Sequence, residues 1–176
     1  MALALLTLGA GGVIAMQKAT LVANTSARNL VAANAVAQAW VERLRVDALA
    51  WNEPGGVPDL GSDTVWLKNV GIGWFTPPAS QTPGFPSGTP QGDVMGADIF
   101  SGDPSAPAFC TQMRLVRIST DPNSSFFRVI RVEISVYWDQ TGRQLVCTAP
   151  LPTDYQLSRY GFVSVVSSVL ENNSPL

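Results

Sequence analysis

The pattern of apolar and polar positions divides the chain into a rod and a head. Residues 1–16, MALALLTLGAGGVIAM, carry no charge and almost no polar group, and the first charged side chain is Lys18. From Thr25 to Trp51 there is neither proline nor glycine, and alanine is abundant, which favours helix. Within that stretch Leu30, Ala33, Ala37, Trp40, Leu44 and Ala48 recur at steps of three and four. Arg28, Gln38, Glu42 and Arg45 mostly take the other face. Together the two stretches predict one helix from residue 2 to about 52, roughly 75 Å long at 1.5 Å per residue. It is apolar all round over residues 1–24 and amphipathic over residues 25–52. Asn52, Glu53, Pro54, Gly55 and Gly56 end it, because proline and glycine do not continue the hydrogen-bond ladder. Gly9, Gly11 and Gly12 weaken the apolar half by about 1 kcal/mol each relative to alanine, and their small size allows close helix packing.

Residues 53–176 read as a β-rich head. The clearest strand lies in FFRVIRVEISVYW, where Ile130, Val132, Ile134, Val136 and Trp138 alternate with Arg131, Glu133, Ser135 and Tyr137. Asp139–Gly142 follows as a short turn, with Gly142 suited to positive φ. RQLVCTA reads as the returning partner strand. Upstream, FCTQMRLVRIST precedes the turn signal Asp121-Pro122-Asn123 and completes a three-strand meander. RYGFVSVVSSVL fits helical spacing too, but its β-branched content favours a strand. DTVWLKNV, residues 63–70, predicts a further strand of modest alternation. Residues 71–107 are crowded with proline and glycine, so they read as a long loop with short helical pieces. Trp74, Phe75, Phe85, Ile99 and Phe100 argue that this loop packs on the sheet. The fold class expected is α+β: a long N-terminal α-helix packed on an antiparallel β-sheet head. The apolar sheet face would bury Trp40 and Leu44, a stabilisation of about 25 cal/mol per Å².

Composition removes several function classes. The chain has 176 residues, 46% apolar and only 14% charged, with a net charge of -2, so no attraction to nucleic acid is implied. Lys18, Arg28, Arg43 and Arg45 outweigh Glu42 and Asp47 in the rod. In the next stretch the acids Glu53, Asp59, Asp63, Asp93, Asp98 and Asp103 face one base, Lys68. Histidine is absent, which removes the commonest general base, the Ser-His triad and the commonest zinc ligand. No enzyme is expected: Ser124-Ser125 and Ser167-Ser168 have no partner base, and Glu133 reads as a sheet-face carboxylate beside Arg114, Arg117 or Arg128.

Other candidate sites have ordinary readings. Asp93, Asp98 and Asp103 sit in a glycine-rich loop without EF-hand spacing, so solvated acids are preferred over calcium and no cofactor is expected. Trp51, Trp66 and Trp74 read as core residues rather than a sugar platform. Asn173–Leu176 reads as a frayed end.

The pattern ALALLTLGAGGVIAMQKATLVANTSARNLVAANAVAQAWVERLR resembles the N-terminal helix of type IV pilins and pseudopilins, and is most similar to minor pilins of the PilV type. In those an apolar ALxLLxxGxxG run leads to an alanine-rich stretch ending in ER(L/M)R, and here Glu42, Arg43, Leu44 and Arg45 stand in that place. FCTQMRLVRI and RVIRVEISVYW echo the head strands. The family's prepilin peptidase signal, N-terminal phenylalanine and nearby glutamate have no counterpart. Met1 therefore stands several residues inside the expected helix, and the missing residues would lengthen the apolar run to a full span.

The resemblance implies a structural subunit that helps initiate or cap a pilus-like filament. Its alternatives are a type II secretion minor pseudopilin, or a tip adhesin using the 71–107 loop. The implied partners are other pilin subunits and the bacterial inner membrane before assembly, with the periplasm and then the pilus as location. Leu5, Leu8, Gly11, Gly12 and Leu30, with Trp40 and Leu44 under the head, are the implied helix-packing positions. An envelope location also favours a bond between Cys110 and Cys147. Hairpin counting opposes it: the two cysteines would flank one strand roughly 10 Å apart, where a disulfide needs about 7 Å or less between Cα atoms.

Overall fold

The protein is described here by a computed structural model covering residues 2–51, 60–81, 83, 86–147 and 159–171, with the side chains of the first helix from Gly11 onward. Leu5, Leu8, the helix stop at 52–56, Phe85 and the end at 173–176 therefore lie outside what is described.

Helix α1 runs unbroken over Ala2–Trp51. Its side chains fall into two regimes. From Gly11 to Arg28 every one is exposed. From Ala33 onward one stripe is buried: Ala33, Val36, Ala37, Trp40, Val41, Leu44, Ala48 and Trp51. The expected face is thus the observed one, except that Leu30 is 51% exposed. At 3.6 residues per turn it is Asn29, not Leu30, that continues the stripe. Asn29 is half-buried and lines a cavity with Trp138.

The head is an antiparallel five-stranded sheet. Strands β1 (Trp74–Phe75) and β2 (Gln91–Gly92) both pair with β3 (Phe109–Arg117), which pairs with β4 (Val129–Asp139), which pairs with β5 (Tyr160–Leu170). Period two puts Ile130, Val132, Ile134, Val136 and Trp138 on one face, and all five are buried. The register aligns Met113 with Ile134 and Ile134 with Val165, so each strand adds apolar groups to that face. Helix α1 lies on this face along β4 and β5. Its Trp51 end lies by Arg117, whose guanidinium is 6.0 Å from the indole centroid, and Arg117 pairs with Ile130 at the start of β4. Its Asn29 turn lies by Trp138 at the other end of β4. Helix and β4 therefore run in opposite directions. Trp40, fully buried, meets Trp66 edge to face with centroids 5.1 Å apart. The architecture is the α+β one expected, a long N-terminal helix on an antiparallel sheet, consistent with a pilin-like fold.

Three segments depart from expectation. DTVWLKNV is not a strand. Helix α2 (Leu60–Asp63) and a 3-10 turn (Leu67–Asn69) occupy that region. The reason is Asp47 of α1, whose carboxylate takes the backbone N–H groups of Val65, Trp66 and Leu67 and so removes them from any ladder. RQLVCTA is not the partner of β4 either. Residues 143–147 run as coil, tied by the Leu145 N–H to the Pro107 carbonyl, and β5 holds the place beside β4. The short pieces of the 71–107 loop are strands and bridges, Ser80 to Gly88 and Gly92 to Asp98, rather than helices among the described residues.

Candidate functional site

The chemistry of this molecule is concentrated where α1 enters and leaves the head. Between Gly11 and Arg28 the helix has no cover from the head, and Val13, Ile14, Met16, Leu21 and Val22 are all exposed. An added Cβ at Gly11 or Gly12 would meet nothing within 4 Å, so both positions are open for close approach by another helix. Among the described residues no helix is long and apolar enough to cross a membrane.

Two polar clasps tie the head to the packed half of α1. Asp47, fully buried, accepts three backbone N–H groups at 2.7, 2.9 and 3.0 Å. One turn earlier Arg43 pairs with Asp98 and stacks its guanidinium 4.9 Å over the Trp40 ring. The same side chain fills the space beside Gly88, where a Cβ would fall 3.0 Å from its Cδ. Burial raises the Asp98 carboxyl above its ordinary value, and the Arg43 charge and hydrogen bond pull it back only in part. The proline-rich segment is therefore fastened to the helix at both its beginning and its middle.

The acidic loop is built from capped turns. Asp93 Oδ1 accepts the Met95 and Ala97 N–H groups, Asp98 holds Arg43, and Asp103 accepts the Ser105 N–H, which holds its carboxyl below the ordinary value. Each acid already serves a different local partner, and no group of three or more metal-ligating side chains occurs among the described residues. Glu133 lies 2.8 Å from Arg131 and 3.8 Å from Arg114, so of the cations expected beside it Arg114 is present, and Arg131 on its own strand is nearer. Trp51 and Trp66 are buried in the core, and Trp66 donates Nε1–H to the Pro78 carbonyl.

Cys110 and Cys147 are bonded, with Cα atoms 5.3 Å apart. The hairpin count failed on the placement of both cysteines. Cys110 pairs with Tyr137, not near Ser135, and Cys147 lies in coil beside β3 instead of across β4. The bond packs Leu145, Tyr137 and Tyr160 into a second small core on the outer sheet face. Burial, with Tyr160 beside it, pushes the Tyr137 phenol up to about 12. At the same end Asp139 is buried and receives Arg159 and both the N–H and hydroxyl of Thr141. Burial by itself raises the Asp139 carboxyl, but these hydrogen bonds and the Arg159 charge outweigh it and hold it below its ordinary value.

Sequence reasoning missed Asp47, Arg43, Asp98 and Arg159 as structural anchors. Asp47 carried a readable signal: it falls on the stripe between Leu44 and Ala48, and an acid on a core stripe needs buried donors. Also unforeseen is a groove of about 600 Å³ between Asn24–Ala35 of α1 and the turn bearing Val94 and Met95. No family model, curated protein or solved structure matches this chain.

Proposed function

We propose that this protein is a structural subunit of a pilus-like filament, a minor pilin that helps to initiate or cap the assembly. One observation carries the reading. A single helix packs its second half under a β head and projects its first half bare, with exposed apolar side chains from Val13 to Val22. A bare apolar rod is unstable in water and needs either lipid or other rods around it. The uncharged run before Gln17 extends the same character toward the N-terminus. Insertion in the inner membrane of a bacterial envelope, then bundling with sister helices, satisfies both needs in turn. The disulfide is compatible with an oxidising envelope compartment.

The 71–107 segment is clasped by Arg43 and paired to β3 through β1 and β2. That supports a structural role for it over ligand capture at a tip. Neither this nor any other feature separates a pilus from a secretion pseudopilus. The test is to delete the gene in its native cell and to search sheared surface filaments for the protein. The expected result is its presence at low abundance, and fewer filaments in the deletion strain. Unchanged filaments that lack the protein altogether would overturn the reading.

A further inference from the structure

We propose that the tail-proximal end of the head is a lipid-docking surface. Its Val94–Met95 turn and the cations Arg28 and Arg143 would contact an anionic bilayer before assembly. The inference rests on the functional reading above, and adds to it that the head, not the helix alone, touches the membrane.

The turn is built to hold two apolar side chains outward. Asp93 closes it three times: its N–H reaches the Ala97 carbonyl at 2.9 Å, its carbonyl accepts the Gly96 N–H at 3.0 Å, and its Oδ1 caps Met95 and Ala97. Gly96 at φ +83 lets the turn close against α1, where a Cβ would meet Val36 at 3.0 Å. A turn pinned this way does not fold its apolar tip inward. Val94 and Met95 are each 72% exposed. They stand beside Asn24–Ala35, at the level where the bare half of α1 begins, with Leu30 and Val31 exposed on the helix next to them. The exposed apolar groups of rod and head therefore form one continuous set at one end of the head.

The charges at this end are segregated. Residues 2–41 contain two charged side chains, Lys18 and Arg28, both cationic. Arg28 lines the groove under Met95, and Arg143 lines the adjoining cavity with Thr25, Asn29 and Val94. The only acid lining either cavity is Asp139, whose charge is taken by Arg159. Asp93 turns its carboxylate to its own turn, and Asp103, in the loop leading to Ala106, caps Ser105. A chain of net charge -2 thus presents cations at the end that carries its exposed apolar turn. Apolar tips inserted at the headgroup level, with Arg and Lys reaching phosphates, are the recognised chemistry of an anionic lipid interface.

The test is flotation of the full chain with vesicles of phosphatidylglycerol and phosphatidylethanolamine, or of phosphatidylcholine alone. Val94→Asp/Met95→Asp should lower the bound fraction on anionic vesicles about tenfold, since two apolar side chains lose their burial. Val94→Leu/Met95→Leu should restore it. Arg28→Gln/Arg143→Gln should abolish the preference for anionic over neutral vesicles. Thermal melts of all variants should match the parent, as the altered side chains are exposed. The proposal falls if the double Asp variant floats like the parent, or if it loses self-association in ultracentrifugation while still floating, which would assign the groove to a second copy. Failure of the parent chain to float on either vesicle would remove the membrane step of the functional reading as well, so the two failures are distinct.

Discussion

The carboxylate of Asp47 accepts the backbone N–H of Trp66 at 2.9 Å inside the core. One buried side chain on the helix thereby fixes the segment that carries Trp66 against Trp40. With the flanking bonds to Val65 and Leu67, it makes the junction of rod and head a polar lock set in an apolar interface.

Removing that lock should be costly. Asp47→Ala leaves three buried N–H groups without their acceptor, and each orphaned group costs roughly 1–3 kcal/mol. A loss of about 3 kcal/mol or more is expected in urea unfolding, with Asp47→Asn less affected because one amide oxygen still accepts. A loss below about 1 kcal/mol would mean that water replaces the carboxylate and that the lock is unimportant.

The disulfide should stabilise the head chiefly through the unfolded state. Cys110 and Cys147 are 37 positions apart. Closing a loop of that size is worth about 4 kcal/mol on the chain-entropy estimate. Cys110→Ser/Cys147→Ser should lower the denaturation midpoint accordingly, and reductant should do the same to the parent and nothing to the variant.

Gly161 is required by its neighbour. It pairs with Trp138 across β4 and β5, and a Cβ there would fall inside the indole ring. Gly161→Val should destabilise by about 2 kcal/mol or more, as overpacking of a well-filled core does. Ser164→Val, on the exposed face of the same strand, is the control and should be within about 0.5 kcal/mol of the parent.

Acid should weaken the Asp139 end of the head. Its carboxyl is held below the ordinary value in the folded state, so its stabilising contribution is present above the unfolded value of 3.8 and is lost as pH falls through the folded one. Asp98 has the opposite sign: its carboxyl is raised, so protonation near and above 3.8 favours the folded state. Unfolding titrations between pH 2 and 6 should show a weaker acid loss for Asp139→Asn than for the parent. For Asp98→Asn the acid loss should be stronger. Equal slopes in all three would remove both assignments.

The rod was legible because its signals are local. Helix propensity and the three-four spacing from Ala33 to Trp51 act within a few turns, and they predicted both the α1 span and the burial of Trp40 and Leu44. The alternation from Ile130 to Trp138 is equally local, and it gave the buried face of β4 directly. What the pattern left open was which strand pairs with it. RQLVCTA follows the turn at Asp139–Gly142 and has β character, but β5 offers an eleven-residue uncharged ladder from Tyr160 to Leu170. That choice depends on the path of the whole chain, as does the approach of Cys147 to Cys110.

The sequence alone determined a long helix with a bare apolar half, one apolar sheet face and the absence of histidine chemistry, because these follow from residue type and spacing. Only the tertiary structure decided the strand order, the disulfide geometry, the clasps at Asp47 and Arg43, and the meeting of Val94 and Met95 with the tail end of the helix. Each of those joins residues far apart in the chain, and a contact between distant residues is chosen by competition among packings rather than by any local preference.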